Sequence, residues 1–229
     1  MKWSIAALLV AATMGVAQIP GAPGIGQSMK QNADELKHYS YKRRTEINVK
    51  DKSFGPRVDL VRYVDGKRET IPLEKPARPD QSGGRRGLRG KIVEKKIEEK
   101  TDEMKEERER LDALLHSYLS PGSDSMRAVF EKAAISRTGP GPDADVKVVA
   151  KGIMKPSDSF TLIWSVANRR PVSIDIHAEL DGKPVQLTRE YAVLKDGPFY
   201  AIHTVIFMPT KNTRINIDTF DYSTSGDQK

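Results

Sequence analysis

Cysteine is absent from all 229 residues. Its absence excludes disulfides, thiolate metal sites, cysteine nucleophiles and a lipid-modified amino-terminal cysteine. A chain without such staples has to rely on a hydrophobic core. Aromatic residues are sparse, at 7%, and the longest apolar run lies at the start. Met1-Lys2-Trp3-Ser4 is short and positively charged, 5–14 is rich in Ala, Leu and Val, and Gly15-Val16-Ala17 closes the run with small residues. That order is the signature of a secretory leader, with cleavage expected before Gln18. A membrane span needs about 20 apolar residues, and this run is shorter. The expectation is a periplasmic or secreted protein of the bacterial envelope, with no transmembrane span.

The usual signatures of catalysis are missing too. There is no His-Glu-x-x-His, no Gly-x-Ser-x-Gly elbow, no phosphate-binding loop and no dinucleotide fingerprint. His38, His116, His177 and His203 fall in no metal-ligand spacing. No catalytic residue, metal site or cofactor is predicted, and the chain reads as a non-enzyme. The formal charge is +7, and its densest positive stretch is the Pro/Gly/Arg segment 74–90. Arg85, Arg86 and Arg89 there could neutralise an anionic envelope polymer. No aromatic residue lies between them to stack on bases, so nucleic acid is not expected. A solvated linker is the plainer reading of such composition.

Periodicity organises the rest. Residues 18–27 are a Pro/Gly tether, and Ser28 with Gln31 forms a capping-box pair opening a short helix through Met29, Ala33 and Leu36. Residues 39–49 alternate, with Tyr41, Thr45, Ile47 and Val49 on one face. Residues 57–64 and 67–73 form a hairpin about Asp65-Gly66, a pair suited to the positive φ of a type I′ turn. Pro72 suggests an edge strand.

Ile97, Met104, Leu111 and Tyr118 recur seven apart across the charged segment 91–119, with Val93, Leu114, Leu115 and Leu119 alongside. That is a long helix with a narrow apolar seam, expected to lie on the sheet. Ser123 or Asp124 caps a second helix carrying Met126, Val129, Phe130, Ala133 and Ala134.

The segments 146–154, 159–167, 172–180, 184–193, 199–208 and 213–222 alternate and are joined by short turns, which predicts an antiparallel meander. A two-residue turn at Asp181-Gly182 pairs Ile176 with Leu187. A two-residue turn at Asp196-Gly197 pairs Leu187 with Ile206. One row then holds all three, and Ile174, Ala178, Leu180, Tyr191, Val193, Ile202 and Met208 share its face. Trp164 alternates with Phe160, Leu162 and Val166. On the opposite face Glu190 meets His203 near Asp175, His177 and Glu179, an arrangement of ordinary cross-strand charge pairs.

The Tyr39-x-Tyr41-x-x-Arg44-x-Glu46 strand, the 58–64 strand with Asp65-Gly66, the helical region and the meander resemble the LolA-like group. These are periplasmic proteins related to outer-membrane lipoprotein-sorting factors. The resemblance implies an unclosed β-barrel whose concave side is covered by helices and holds acyl chains.

The expected fold class is therefore α+β: an antiparallel meander curved as a half-barrel with helices over its concave face. A β-sandwich with an inserted helical segment is the alternative. The expected organisation is a leader at 1–17, a tether at 18–27, one domain at 28–222 and a disordered tail at 223–229. The expected function is binding an apolar ligand, such as an acyl chain or lipoprotein lipid. Its lining would be Trp164, Ile176, Leu187, Tyr191, Ile202 and Ile206, with Leu111, Leu115 and Phe130 as cover. The competing expectation is an envelope scaffold that contacts a partner through the basic linker and the charged helix.

Overall fold

The computed structural model describes residues 22–50, 52–73, 106–120, 122–141, 143–195 and 197–224, and all that follows concerns these. The leader, the 74–90 segment with Arg85, Arg86 and Arg89, and the 91–105 part of the charged segment lie outside them.

Short connections between alternating segments leave each strand little choice but to pair with its chain neighbour. The strands are β1 (Tyr39–Val49), β2 (Lys52–Val64), β3 (Lys67–Pro72), β4 (Ala134–Arg137), β5 (Val146–Lys151), β6 (Ser159–Ser165), β7 (Arg170–Leu180), β8 (Lys183–Val193), β9 (Phe199–Met208) and β10 (Thr213–Thr224). They form one antiparallel ten-stranded sheet in the order β3-β2-β1-β10-β9-β8-β7-β6-β5-β4. The β1–β10 pairing joins the opening hairpins to the meander. β3 and β4 are the two edges, so the barrel is open, as expected. One continuous ladder through all ten strands overturns the sandwich alternative.

Both Asp-Gly hairpins behave as their residues require. Asp65 and Gly66 have φ of 50° and 73°, and Asp181 and Gly182 have φ of 51° and 73°, the left-handed pair of a type I′ turn. Ile176 pairs with Leu187, and Leu187 with Ile206, as the sequence predicted. The second pairing arises differently, however. Val193 pairs with Phe199, which leaves five residues between them, and a register shift falls at Glu190/Tyr191. The row itself extends far beyond three residues. It runs Ala150, Phe160, Ile176, Leu187, Ile206, Ile215, Ile47, Phe54 through direct pairings on eight strands.

Three helices supply cover. In α1 (Ala22–Leu36) the expected tether is corrected, because the helix begins six residues before Ser28 and takes in most of that stretch. Pro23 sits in the first turn, where its missing N–H costs nothing. Ile25 and Met29, one turn apart, are buried. Gly26 is what brings α1 close: a Cβ there would lie 3.1 Å from the Phe130 ring. The Asn32 amide also docks on β9, donating to Phe199 O at 2.8 Å and accepting from Phe199 N at 2.8 Å.

Helix α2 (106–119) lays its seam on the sheet, with Leu111 and Tyr118 buried and Leu114, Leu115 and Leu119 packed beside them. Glu106 and Arg110, four apart on this helix, pair at 3.8 Å. α3 (Asp124–Lys132) starts at Ser123, whose hydroxyl accepts from Met126 N at 3.1 Å. Ala134 belongs to β4 rather than to this helix, a strand too short to leave a period in the sequence. β10 likewise runs to Thr224, so the first two residues of the expected tail are paired with β1, Ser40 Oγ lying 2.9 Å from Ser223 Oγ.

The central row sets a stability test. Leu187→Ala is expected to cost about 2–5 kcal/mol in chemical denaturation, and Leu187→Arg to prevent folding, because an unpaired charge would enter the core. A cooperative Leu187→Arg protein with unchanged midpoint would refute the register.

Candidate functional site

Where the helices land decides which part of the concave face can meet a ligand. α2 is held near both ends. The Tyr118 hydroxyl donates to Asp158, on the β5–β6 connection. That carboxylate also accepts from Lys155 N at 2.7 Å. Burial first, and this bond second, push the Tyr118 hydroxyl well above the ordinary phenol range. At the other end Glu107 pairs with Lys211 and Arg110 reaches Asp181 at 3.3 Å. All three anchors belong to the meander. The cover therefore sits over the β5–β9 part of the sheet.

Beneath it the expected lining is packed solid. Trp164, Ile176, Leu187, Ile206 and Leu111 are buried in one cluster, and Leu115, Phe130 and Tyr191 pack against it. Burial pushes the Tyr191 hydroxyl upward, keeping it neutral. None of the nine expected residues lines either of two surface depressions, of about 230 and 270 Å³. The first is walled by Glu107, Arg110, Asp181, Lys183 and Lys211, the second by Gln31, Glu35, Asn168, Arg169 and Arg170. Both are polar.

Ile202 is not in the cluster at all. The shift at Glu190/Tyr191 makes it the extra residue of a β-bulge, so Tyr191 faces Ala201. Ile202 is turned to the outside, 41% exposed. Phe199 takes the inward place, edge-on to Trp164 (6.4 Å) and Tyr191 (5.9 Å). The sequence offered no sign of this beyond the length of the 194–198 connection.

The same apolar row emerges from cover towards β1 and β2. Leu187 is 1% exposed, Ile215 half-buried, Ile47 37% exposed and Phe54 57% exposed. Phe54 reaches this face through a second bulge. Thr45 pairs with Arg57 but Ile47 with Phe54, so β2 carries one extra residue between them. Gly55 makes it feasible, with φ of 127° and room for no Cβ, which would lie 3.1 Å from Thr45 O. Without the extra residue Phe54 would fall opposite Asn48, on the convex side. The sequence reading began this strand at Arg57 and missed it, although Gly55-Pro56 is the expected mark of a break in pairing.

Next to the exposed row stands a charged cluster. Arg43 and Asp59 are direct cross-strand partners, and Arg57 pairs with Thr45, so all three share the concave face. Asp59 accepts from Arg43 at 3.0 Å and from Arg57 Nε at 2.7 Å. Its side chain is 2% exposed, against 20% for Arg43 and 40% for Arg57. The Nε of Arg43 is buried with no hydrogen-bond partner. Farther along the face Arg189 Nε donates to Thr204 Oγ1 at 3.1 Å.

The convex face holds the histidines that the sequence placed there. Glu190 does face His203, His203 Nδ1 lies 2.6 Å from Asp218, and His177 Nε2 lies 2.9 Å from Asp175. These are side-by-side surface pairs on an open sheet. Among the described residues no three His, Asp or Glu side chains come together as a metal site, and no helix is long and apolar enough to cross a membrane.

No protein-family model matches the sequence, nor does any curated protein. Among solved structures the chain is similar to a domain assigned as an outer membrane lipoprotein-sorting protein from Vibrio parahaemolyticus, at 12% identity and a TM-score of 0.48, over 91% of this chain and 94% of that one. It is also similar to a DUF1329 family protein from Desulfovibrio piger, at 11% identity and 0.45, over 92% and 96%. A third is a LolA superfamily protein from Nitrosomonas europaea, at 9% identity and 0.34, over 87% and 93%.

The bulge at Gly55 can be tested alone. Gly55→Ala is expected to cost more than about 1 kcal/mol, because alanine is strained at positive φ, read as a lowered denaturation midpoint. The same change at Gly24, with nothing within 4 Å of its Cβ position, should be neutral or slightly stabilising.

Proposed function

We propose that the chain is an exported, non-catalytic binding protein that holds an apolar chain on the uncovered part of its concave face. One observation carries this reading. A row of apolar side chains that is core at Leu187 continues unbroken into solvent at Ile47 and Phe54. A sheet face built for water would alternate to polar residues where its helices end. This one stays apolar, which suits a ligand that completes the cover. The charge-core-small order of residues 1–17 supports export.

The binding would be burial without chemistry. Each methylene withdrawn from water contributes about 0.8 kcal/mol, roughly fourfold in affinity. The side chains bound are not those first expected: Trp164, Ile176, Leu187 and Ile206 become the floor that supports the site, and Ile47, Phe54, Ile215 and Ile217 its contact surface.

Phe54→Asp with Ile47→Asp is expected to lower the affinity for a neutral hydrophobic dye at least tenfold, measured by fluorescence titration. Both positions are exposed, so the melting temperature should stay within a few degrees. Unchanged dye affinity in the folded double variant would place any apolar site elsewhere and reject the proposal.

A further inference from the structure

We infer that the ligand of this face carries one negative charge, and that Arg57 and Arg43 receive it: the occupant is a single-chain carboxylate, a fatty acid in chemical class. The inference rests on the apolar-chain reading above and adds the nature of the head. A single guanidinium would neutralise Asp59. Two are present, both bonded to it, and the cluster keeps a net charge of +1. Of its polar atoms, Arg43 Nε is buried and unpaired. Arg57 engages Asp59 through Nε and is 40% exposed, so the outer edge of its guanidinium is open to a second acceptor. Guanidinium and carboxylate match as planar partners.

Position links the charge to the chain. Arg57 follows Phe54 on the same strand and, by way of the Gly55 bulge, on the same face. Arg43 lies two side-chain rows from Ile47 on β1. A head seated against these arginines has its tail directed along Phe54, Ile47 and Ile215. On β2 the uncovered apolar strip is one residue wide, with Phe54 standing between Lys52 and Arg57, which suits one chain rather than two. A net +1 suits a monoanion. An alcohol or an amide-linked acyl group would leave that charge unanswered, and a cation would be repelled.

The whole chain is titrated with dodecanoate, dodecanol and dodecyltrimethylammonium, each displacing a neutral hydrophobic dye at low ionic strength. Dodecanoate is expected to bind roughly tenfold tighter than dodecanol, the scale of a hydrogen bond to a charged group, and the ammonium most weakly. Arg57→Glu changes the cluster from +1 to −1 and should reverse the order, with a lowered melting temperature because a second carboxylate then faces the buried Asp59. Arg57→Gln, which takes the cluster to zero and keeps a donor for Asp59, should remove the preference for dodecanoate while the protein stays folded. If the three amphiphiles bind wild type alike, or if Arg57→Glu keeps the preference for dodecanoate, the anion inference is overturned while the apolar site stands. If none displaces the dye, the apolar-chain reading fails and this one with it.

Discussion

A row of apolar side chains in register across eight strands is the constraint on which the rest of this structure depends. Because side chains alternate across a pleated sheet, one residue of slip on any strand would send its whole apolar set to the other side. The row therefore ties together the hairpin turns, the bulges and the β1–β10 closure, which all have to agree for Ala150, Phe160, Ile176, Leu187, Ile206, Ile215, Ile47 and Phe54 to line up. It also creates the demand for cover. Helices α1, α2 and α3 meet that demand where their anchors sit, at Phe199, Asp158, Lys211 and Asp181, and these anchors all belong to the meander.

Bulges do the finer placing. At Glu190/Tyr191 one extra residue expels Ile202 and admits Phe199 to the core beside Trp164. At Thr45/Ile47 one extra residue on β2 does the reverse, bringing Phe54 from the convex side to the concave one. Further shifts occur at Ile163/Trp164 and Ser40/Lys42. Such irregularities bend strands and strengthen their twist, and so suit an open barrel as well as re-aiming particular side chains.

These placements mark how far the sequence could be read. Alternation and short turns were enough for the meander, its antiparallel order and its central register, and Asp65-Gly66 and Asp181-Gly182 have the left-handed φ that their residues favour. Asp196-Gly197 predicts a two-residue turn where the connection spans 194–198, and the bulge compensates for the difference, so Leu187 meets Ile206 while Ile202 leaves its face. β4, at four residues, was too short to show a period. The start of α1 was hidden by Pro23, Gly24 and Gly26, residues that usually end helices; here the proline occupies a first-turn position and Gly26 admits the Phe130 ring. Apart from Ile202, the residues expected to line a cavity are packed in the core or against it. Alternation reports which way a side chain points; it carries no information on whether a distant helix will lie on top of it.

That distinction accounts for the form of the candidate site. Core and binding surface are usually separate patches of a protein, built from different residues. In the proposed reading they are successive stretches of one row, and the boundary between them is set by how far α2 and its partners reach. The neighbouring row runs from Ile174 through Arg189, Thr204, Ile217 and Thr45 to Arg57, with Arg43 and Asp59 close by. Guanidinium groups are weakly hydrated and lie comfortably beside apolar surface, so a charge can stand here without breaking the apolar strip. An uncovered apolar strip alone would attract any greasy molecule, another copy of the chain included. Two arginines sharing one buried carboxylate would, on the proposed reading, restrict that surface to partners that are greasy at one end and negative at the other.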